Sequence, residues 1–207
     1  CYYQPDLEVL QDIININESL NGEPLEIGNH QSWVDSRLVF LSLNGSQLTN
    51  LPESIGNLKK LERLFLRDNQ LTILPESIGN LNHLYWINLT ENQLSSIPES
   101  LWNLTNLEIL GLNHNQFTIL SEDLGNLNNL THLELWGNNL LSVPESIGDL
   151  ISLRHLFLEF NDIGDRGLMA LLECEHMKFV RVGEEDGDIE NRGCGFWDVY
   201  PSTHISY

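Results

Sequence analysis

The sequence predicts an α/β solenoid, a horseshoe with a parallel concave sheet of about seven strands. A 23-residue phrase recurs without slipping, and a fixed period of this length built on leucines indicates stacked repeats. Apolar residues at positions 1, 4 and 6 of each repeat give the alternation of a half-buried strand. Most repeats then carry a proline, which ends the strand. The opening leucines, position 1, are Leu38, Leu61, Leu84, Leu107, Leu130 and Leu153.

The second repeat illustrates how each coil is built. Leu61, Leu64 and Leu66 predict a short strand whose apolar side faces the core. Pro75 stops that strand, and residues 76–81 are predicted to return as an irregular convex arc. A single coil cannot bury its own leucines, so stability is expected to arise between neighbouring coils.

An asparagine recurs at position 9 of five repeats. Its amide both donates and accepts hydrogen bonds, and at a turn it satisfies backbone groups that the curving chain leaves unpaired. The column therefore predicts an internal hydrogen-bond ladder and not a binding site. Its members are Asn69, Asn92, Asn115, Asn138 and Asn161.

The N-terminal segment departs from the repeat, as expected of a cap that covers the open end of a solenoid core. Residues 1–37 are predicted to form this cap. Apolar residues at helical spacing, with Pro5 near the start, predict a helix at about 5–20. Trp33 is predicted to lie in the loop that follows.

The C-terminal repeats also change character. The coil that opens at Leu153 is predicted to return through a true helix at about 166–175. A seventh coil is predicted to start at Met177, so that the repeats cover 38–182. Residues 183–207 are predicted to form a C-terminal cap or tail.

Composition excludes two classes of partner. The chain has 30 Asp+Glu against 10 Lys+Arg, a net charge of −20, which repels a polyanion such as nucleic acid. No apolar run approaches the roughly 18 residues of a membrane span.

Three cysteines are too few for a disulfide framework. Cys174 is either a buried small hydrophobe or bridged to Cys194, and Cys1 either carries a lipid or pairs outside this segment.

The repeated Leu-Pro-Glu-Ser-Ile-Gly-Asn-Leu segments at 51–58 and 74–81 carry a resemblance. Over about 38–182 the chain resembles the leucine-rich-repeat family, in the 23-residue subclass of bacterial and plant Ras-group-related repeat proteins. The cap is similar in layout to that of extracellular plant-type members, without their paired cysteines. The resemblance implies a curved scaffold whose concave sheet binds a protein or peptide.

Positions that the repeat leaves free predict the binding surface. Large aromatic residues recur there, and five of the ten basic residues fall on this one face. Exposed aromatic residues together with arginine are typical of binding hot spots. The predicted concave-face residues are Phe40, Arg63, Phe65, Arg67, Trp86, His132, Glu134, Trp136, Arg154, His155, Phe157 and Arg181.

Catalysis is not expected in this segment. No nucleophile–base constellation, phosphate loop or zinc-protease motif is recognisable. His132, Glu134 and His155 fall on adjacent strands and could converge on one metal ion. We interpret them instead as two exposed histidines on a polar sheet. No metal or cofactor is therefore predicted.

We predict a non-catalytic module that binds a protein or peptide. Two alternatives stay open. One is a cell-surface adhesion or recognition domain that binds carbohydrate through Trp86 and Trp136. The other is the substrate-recognition arm of a larger enzyme. A secreted or cell-surface location is favoured over a cytoplasmic one.

Overall fold

The computed structural model describes residues 2–27, 30–164, 171, 179–181 and 189–190. The strands form one nine-stranded sheet in sequential order. The seven central strands are parallel, which confirms the predicted solenoid. The strands are β1 His30–Val34, β2 Arg37–Ser42, β3 Arg63–Phe65, β4 Trp86–Asn88, β5 Ile109–Gly111, β6 His132–Glu134, β7 His155–Phe157, β8 Phe179–Arg181 and β9 Ile189–Glu190.

The register of the parallel strands follows the 23-residue period. Leu41 pairs with Leu64, and Leu64 in turn pairs with Ile87. These central residues are fully buried, as are the leucines that open the repeats. Each buried leucine contributes about 1.5 to 3 kcal/mol, and that contribution depends on the next coil covering it.

The convex arcs are more regular than the sequence suggested. Five of them contain a short 3-10 helix. In the second, Ile78 N–H donates to Pro75 O (3.1 Å) and Leu81 N–H donates to Ile78 O (3.2 Å). Proline holds the extended conformation before the first of these bonds, and the chain then turns tightly. The arc helices are Glu53–Asn57, Glu76–Asn80, Glu99–Asn103, Glu122–Asn126 and Glu145–Asp149.

The asparagine column links each coil to the one before it. Asn115 Oδ1 accepts from Leu94 N–H (2.9 Å), and its Nδ2 donates to Leu89 O (3.0 Å) and Leu112 O (3.1 Å). Leu89 O also accepts from Asn92 Nδ2 (3.0 Å), so this carbonyl is shared by two successive amides. The same pattern of bonds recurs at Asn69, Asn138 and Asn161.

The N-terminal helix, α1, covers Gln4–Ile16 and ends four residues before the predicted boundary. Asn17 explains the difference, because its backbone is extended and its side chain is buried. The side chain donates to Ile13 O (2.9 Å) and Asn50 O (3.1 Å) and accepts from Thr49 N–H (3.0 Å). It therefore ends the helix and attaches it to the first coil.

An ion pair joins the same helix to the sheet. The Asp6 carboxylate is fully buried and accepts from Arg37 Nε (2.9 Å) and Nη2 (3.1 Å) and from Leu38 N–H (2.9 Å). This bond to Asp6 is the main cause that raises the pKa of Arg37. The buried carboxylate thus has three donors, which compensate for its loss of contact with water.

Trp33 lies in a strand, so the predicted loop is wrong at this position. It belongs to β1, which pairs with β2 in an antiparallel hairpin. Asp35 and Ser36 make the two-residue turn, with φ of 48° and 69°. Two successive residues with positive φ match the twist of a hairpin, and the sequence lacks the usual glycine at this turn. The hairpin covers the first edge of the parallel sheet.

The helix predicted at about 166–175 lies outside the described residues apart from Leu171. So do Met177, Cys1, Cys174, Cys194 and most of 183–207. In the part of the chain that is described, no helix is both long and apolar enough to cross a membrane.

Candidate functional site

Positions 3 and 5 of each coil share one face of the parallel sheet, since strand side chains alternate between faces. The in-register pairing therefore places Phe40 beside Arg63 and Arg63 beside Trp86. At position 5, Ser42 lies beside Phe65. Their neighbours at position 4 face the core. Side chains here are half-buried by one another, with the exception of the buried Ser42, and are not needed to fill the core.

Four of the predicted residues meet at the N-terminal end of the concave face. The rings of Phe40 and Phe65 lie edge to face with centroids 5.1 Å apart, and those of Phe65 and Trp86 lie 4.7 Å apart. The Arg63 guanidinium carbon lies 4.4 Å from the centre of the Phe40 ring. We call these four residues the N-terminal aromatic cluster. It combines apolar area with a cation, and a cation–π contact of this kind contributes about 0.5 to 1 kcal/mol when exposed.

Arg67 lies apart from this cluster at position 7. Its Nη2 donates to Glu91 Oε1 at 2.6 Å, and both side chains are exposed. An exposed pair of this kind contributes little to stability, about 1 kcal/mol at most. A partner with a carboxylate would therefore compete with Glu91 for Arg67 at small cost.

A second group of predicted residues lies on β6 and β7. The rings of His132 and His155 stack with centroids 4.3 Å apart and an interplanar angle of 11°. Thr131 Oγ1 lies 2.9 Å from His132 Nδ1. Burial, with a smaller contribution from His155, lowers the pKa of His132. The neutral form of His132 is therefore favoured. The ring of His155 is also nearly parallel to that of Phe157, 6.5 Å away.

Glu134, on the same strand as His132, is linked to the rim of the sheet by Asn113. Asn113 Nδ2 donates to Glu134 Oε2 (2.9 Å), and Asn113 Oδ1 accepts from Trp136 N–H (3.1 Å). Burial raises the pKa of Glu134, and the bond from Asn113 opposes that rise. This carboxyl group thus holds a proton more readily than an exposed glutamate does.

Trp136 is the centre of a third group, which the sequence did not single out as a unit. The ring of His114 lies edge to face against it at 4.0 Å, and the ring of Phe160 lies 5.9 Å away. We call His114, Trp136 and Phe160 the rim cluster. His114 and Phe160 come from position 8, two coils apart, on either side of Trp136.

Position 8 has a left-handed backbone in six successive coils. Four of these residues are not glycine, although glycine adopts this conformation at least cost. At Gly137 a side chain would also collide, because a Cβ atom there would lie 2.6 Å from His114 Nδ1. The residues and their φ values are Gly45 (63°), Asp68 (57°), Glu91 (57°), His114 (50°), Gly137 (69°) and Phe160 (53°).

Two predicted arginines are not part of these clusters. Arg154 Nη1 donates to Ile151 O (3.1 Å) and Leu153 O (3.2 Å), carbonyls within three residues of it in the chain. The backbone of Arg181 pairs with Phe157 in register, but its side chain lies outside the described part of the structure.

Charge is distributed unevenly along the solenoid. Between 68 and 153 the sequence has no lysine or arginine. The carboxylates of that stretch are Asp68, Glu76, Glu91, Glu99, Glu108, Glu122, Asp123, Glu134, Glu145 and Asp149. By contrast, Arg37, Lys59, Lys60, Arg63 and Arg67 all precede it. Of these residues, Arg63 and Arg67 lie at concave strand positions at the start of the solenoid, and Asp68, Glu91, Glu108 and Glu134 at those of the central coils.

Among the described residues, no three His, Cys, Asp or Glu side chains are grouped so as to hold a metal ion. His132 and His155 stack ring on ring, and Glu134 accepts from Asn113, so these three described residues are not arranged as a ligand set.

Family models match most of the repeat region. A model described as leucine-rich repeat region matches residues 36–110, and one described as leucine rich repeat matches 106–127 and 129–150. No curated protein matches the chain.

Many solved structures are similar to the chain, and three examples show the range. A leucine-rich-repeat protein of Leptospira interrogans is 34% identical over 66% of this chain, with a TM-score of 0.54. The internalin inlF of Listeria monocytogenes is 28% identical over 72%, with a TM-score of 0.58. The plant peptide hormone receptor RGFR1, solved in complex with RGF2, is 28% identical over 76%, with a TM-score of 0.62. The chain spans 41%, 48% and 26% of the length of these three proteins, respectively.

Proposed function

The chain belongs to the leucine-rich-repeat family, and on this basis we propose that it is a non-catalytic module that binds a protein or peptide on its concave face. The N-terminal aromatic cluster carries the proposal. Phe40, Phe65 and Trp86 contact one another on the face opposite the core, where nothing in the repeat requires an aromatic ring. Arg63 adds a charge to that apolar area.

The physical composition of the cluster supports this role. Half-buried aromatic rings offer a large apolar area at low entropic cost, since each has few rotatable bonds. Arginine next to them adds directed hydrogen bonds, and this combination is enriched in hot spots of protein interfaces. The short, regular strands hold these groups on rigid backbone, so little order remains to be created on binding.

The similar structures support the same class of function at a coarse level. One of them is a plant peptide hormone receptor solved in complex with RGF2. The identity of any partner of this chain does not follow from that likeness, because function depends on the residues that a fold presents.

A capture experiment tests the proposal. The unchanged protein and the double variant Trp86→Ala with Arg63→Ala are used to capture partners from a lysate of the source organism, followed by chemical cross-linking of the bound complex. We expect the double variant to lose the partner, and the cross-links of the unchanged protein to lie on β2–β5.

The matched control removes one apolar and one basic side chain elsewhere. Ile119→Ala with Lys59→Ala alters two exposed residues outside the strands. Circular dichroism must show that both double variants are folded. A partner that binds the Trp86 and Arg63 variant as tightly as the control would refute binding through the concave face.

A further inference from the structure

We propose that the rim cluster of His114, Trp136 and Phe160 receives a cationic side chain of the partner, a guanidinium or an alkylammonium group. This inference rests on the proposed function, since it specifies what the bound peptide or protein must carry. It concerns a different part of the face from the N-terminal aromatic cluster, three coils further along the solenoid.

The geometry of the rings supports the proposal. Trp136 is half-buried, with His114 edge to face at 4.0 Å and Phe160 tilted at 54° and 5.9 Å. Phe160 is 53% exposed. Rings set at steep angles to one another present the electron-rich face of at least one of them to a group that approaches from solvent. Cations within about 6 Å of a ring centre are attracted to that face.

Two of the three rings belong to residues whose own backbone conformation is unfavourable. His114 and Phe160 have φ of 50° and 53°, where a residue with a Cβ atom is disfavoured and a bulky one is uncommon. Gly45 and Gly137 occupy the same position of other coils without this cost. Core packing does not explain Phe160, which is more than half exposed. Because position 8 has this backbone in all six coils, including those of Asp68 and Glu91, what is particular to His114 and Phe160 is the ring that each presents.

Charge selects the class of ligand. His114 and Trp136 lie in the stretch from 68 to 153, which has no lysine or arginine and has Asp68, Glu91, Glu108 and Glu134 at concave strand positions. Phe160 follows that stretch, in the coil of Arg154. Glu134 is joined to the Trp136 backbone through Asn113, so a carboxyl group lies one hydrogen-bonded residue away from the cluster. An anion is repelled from such a surface, whereas a cation is attracted both by the rings and by the carboxylates.

In the N-terminal aromatic cluster, the chain itself supplies the cation that lies against a ring. There, Arg63 lies over the Phe40 ring at 4.4 Å. At the rim cluster, the coils of His114 and Trp136 have no lysine or arginine, and Arg154 in the coil of Phe160 donates to Ile151 O and Leu153 O. The partner is therefore expected to supply that group.

Two small peptides serve as probes. Acetyl-Gly-Arg-Gly-amide carries a guanidinium, and acetyl-Gly-citrulline-Gly-amide has nearly the same shape without the charge. Each is titrated into the unchanged protein at about pH 8, where free imidazole is neutral, while the indole N–H signals are followed by NMR. We expect the Trp136 signal to shift with the arginine peptide, and a dissociation constant at least about fivefold larger for the citrulline peptide.

A variant pair locates the binding. Trp136→Leu with Phe160→Leu keeps apolar side chains but removes the rings. This double variant should raise the dissociation constant of the arginine peptide about fivefold. Tyr2→Leu, which removes an exposed ring of the N-terminal cap, is the control and should leave that dissociation constant unchanged. The citrulline comparison uses the unchanged protein, so it decides the question even if the Leu variants do not fold.

Three results would overturn the inference. They are equal binding of the two peptides, a Trp136 signal that stays fixed up to about 10 mM peptide, or full binding by the Trp136 and Phe160 variant. The last would show that net negative charge alone attracts the probe. A natural partner lost by the Trp86 and Arg63 variant but kept by the Trp136 and Phe160 variant would overturn this inference and leave the proposed function intact.

Discussion

Replacing Asn115 by leucine tests whether the asparagine column holds the coils together. The change keeps the volume of a side chain that is 7% exposed but removes its amide. Leu94 N–H then loses its acceptor inside the protein, which costs about 1 to 3 kcal/mol. Leu89 O and Leu112 O each keep one donor from a neighbouring asparagine. The free energy lost at each of these carbonyls is therefore smaller, about 0.5 to 1 kcal/mol.

The sum is a loss of about 3 kcal/mol in the free energy of unfolding. Urea unfolding, followed by far-ultraviolet circular dichroism, measures it. With a slope of about 2 kcal/mol per molar urea for a chain of this size, the midpoint should fall by about 1.5 M.

The control variant is Asn106→Leu. The Asn106 amide also donates across coils, to Asn82 O at 2.7 Å, but both groups are exposed and water replaces the bond. We expect its midpoint to change by no more than about 0.3 M, because surface changes of this kind cost about 0.5 kcal/mol or less. Equal midpoints for the Asn115 and Asn106 variants would refute the structural role of the column.

Three further predictions concern packing and protonation. Gly79→Ala should lower stability by about 2 kcal/mol in urea unfolding, because its Cβ atom would collide with the backbone oxygen of Ser100 in the next arc, whereas Gly164→Ala, with no described residue within 4 Å, should be neutral. Burial raises the pKa of Glu134, so its deprotonation destabilises the fold as pH rises above the ordinary glutamate range; Glu134→Gln should stabilise the protein at pH 7 and not below about pH 4. Burial lowers the pKa of His132, so its contribution to stability is present above about pH 6.5 and is lost as pH falls through the lowered value. The free energy of unfolding should therefore vary less steeply with pH in this range for His132→Gln than for the unchanged protein. An unchanged profile would contradict the reasoning.

The fold could be predicted because its main driving force is periodic. Burying leucines at positions 1, 4 and 6 needs the same spacing in every coil, and that spacing can be counted in the sequence. The proximity of Phe40, Arg63 and Trp86 follows from the same count, since residues 23 apart become neighbours across strands.

What the sequence could not predict depends on single side chains outside the period. Asn17 ends the first helix through bonds to residues more than 30 positions away. Asp35 and Ser36 form a hairpin turn without the usual glycine. The rim cluster depends on the left-handed backbone at His114 and Phe160, and no residue type at that position signals it.

The constant spacing of the asparagine bonds affects how the number of coils in such a chain changes during evolution. Each asparagine accepts from the residue 21 positions earlier and donates to the carbonyl 26 positions earlier, in every coil that has one. Loss of residues 84–106 in frame would bring Asn115 to the same groups of the preceding coil, with no bond lost. The concave sheet is thus able to shorten or lengthen by a whole strand, about 4.8 Å, in one genetic event.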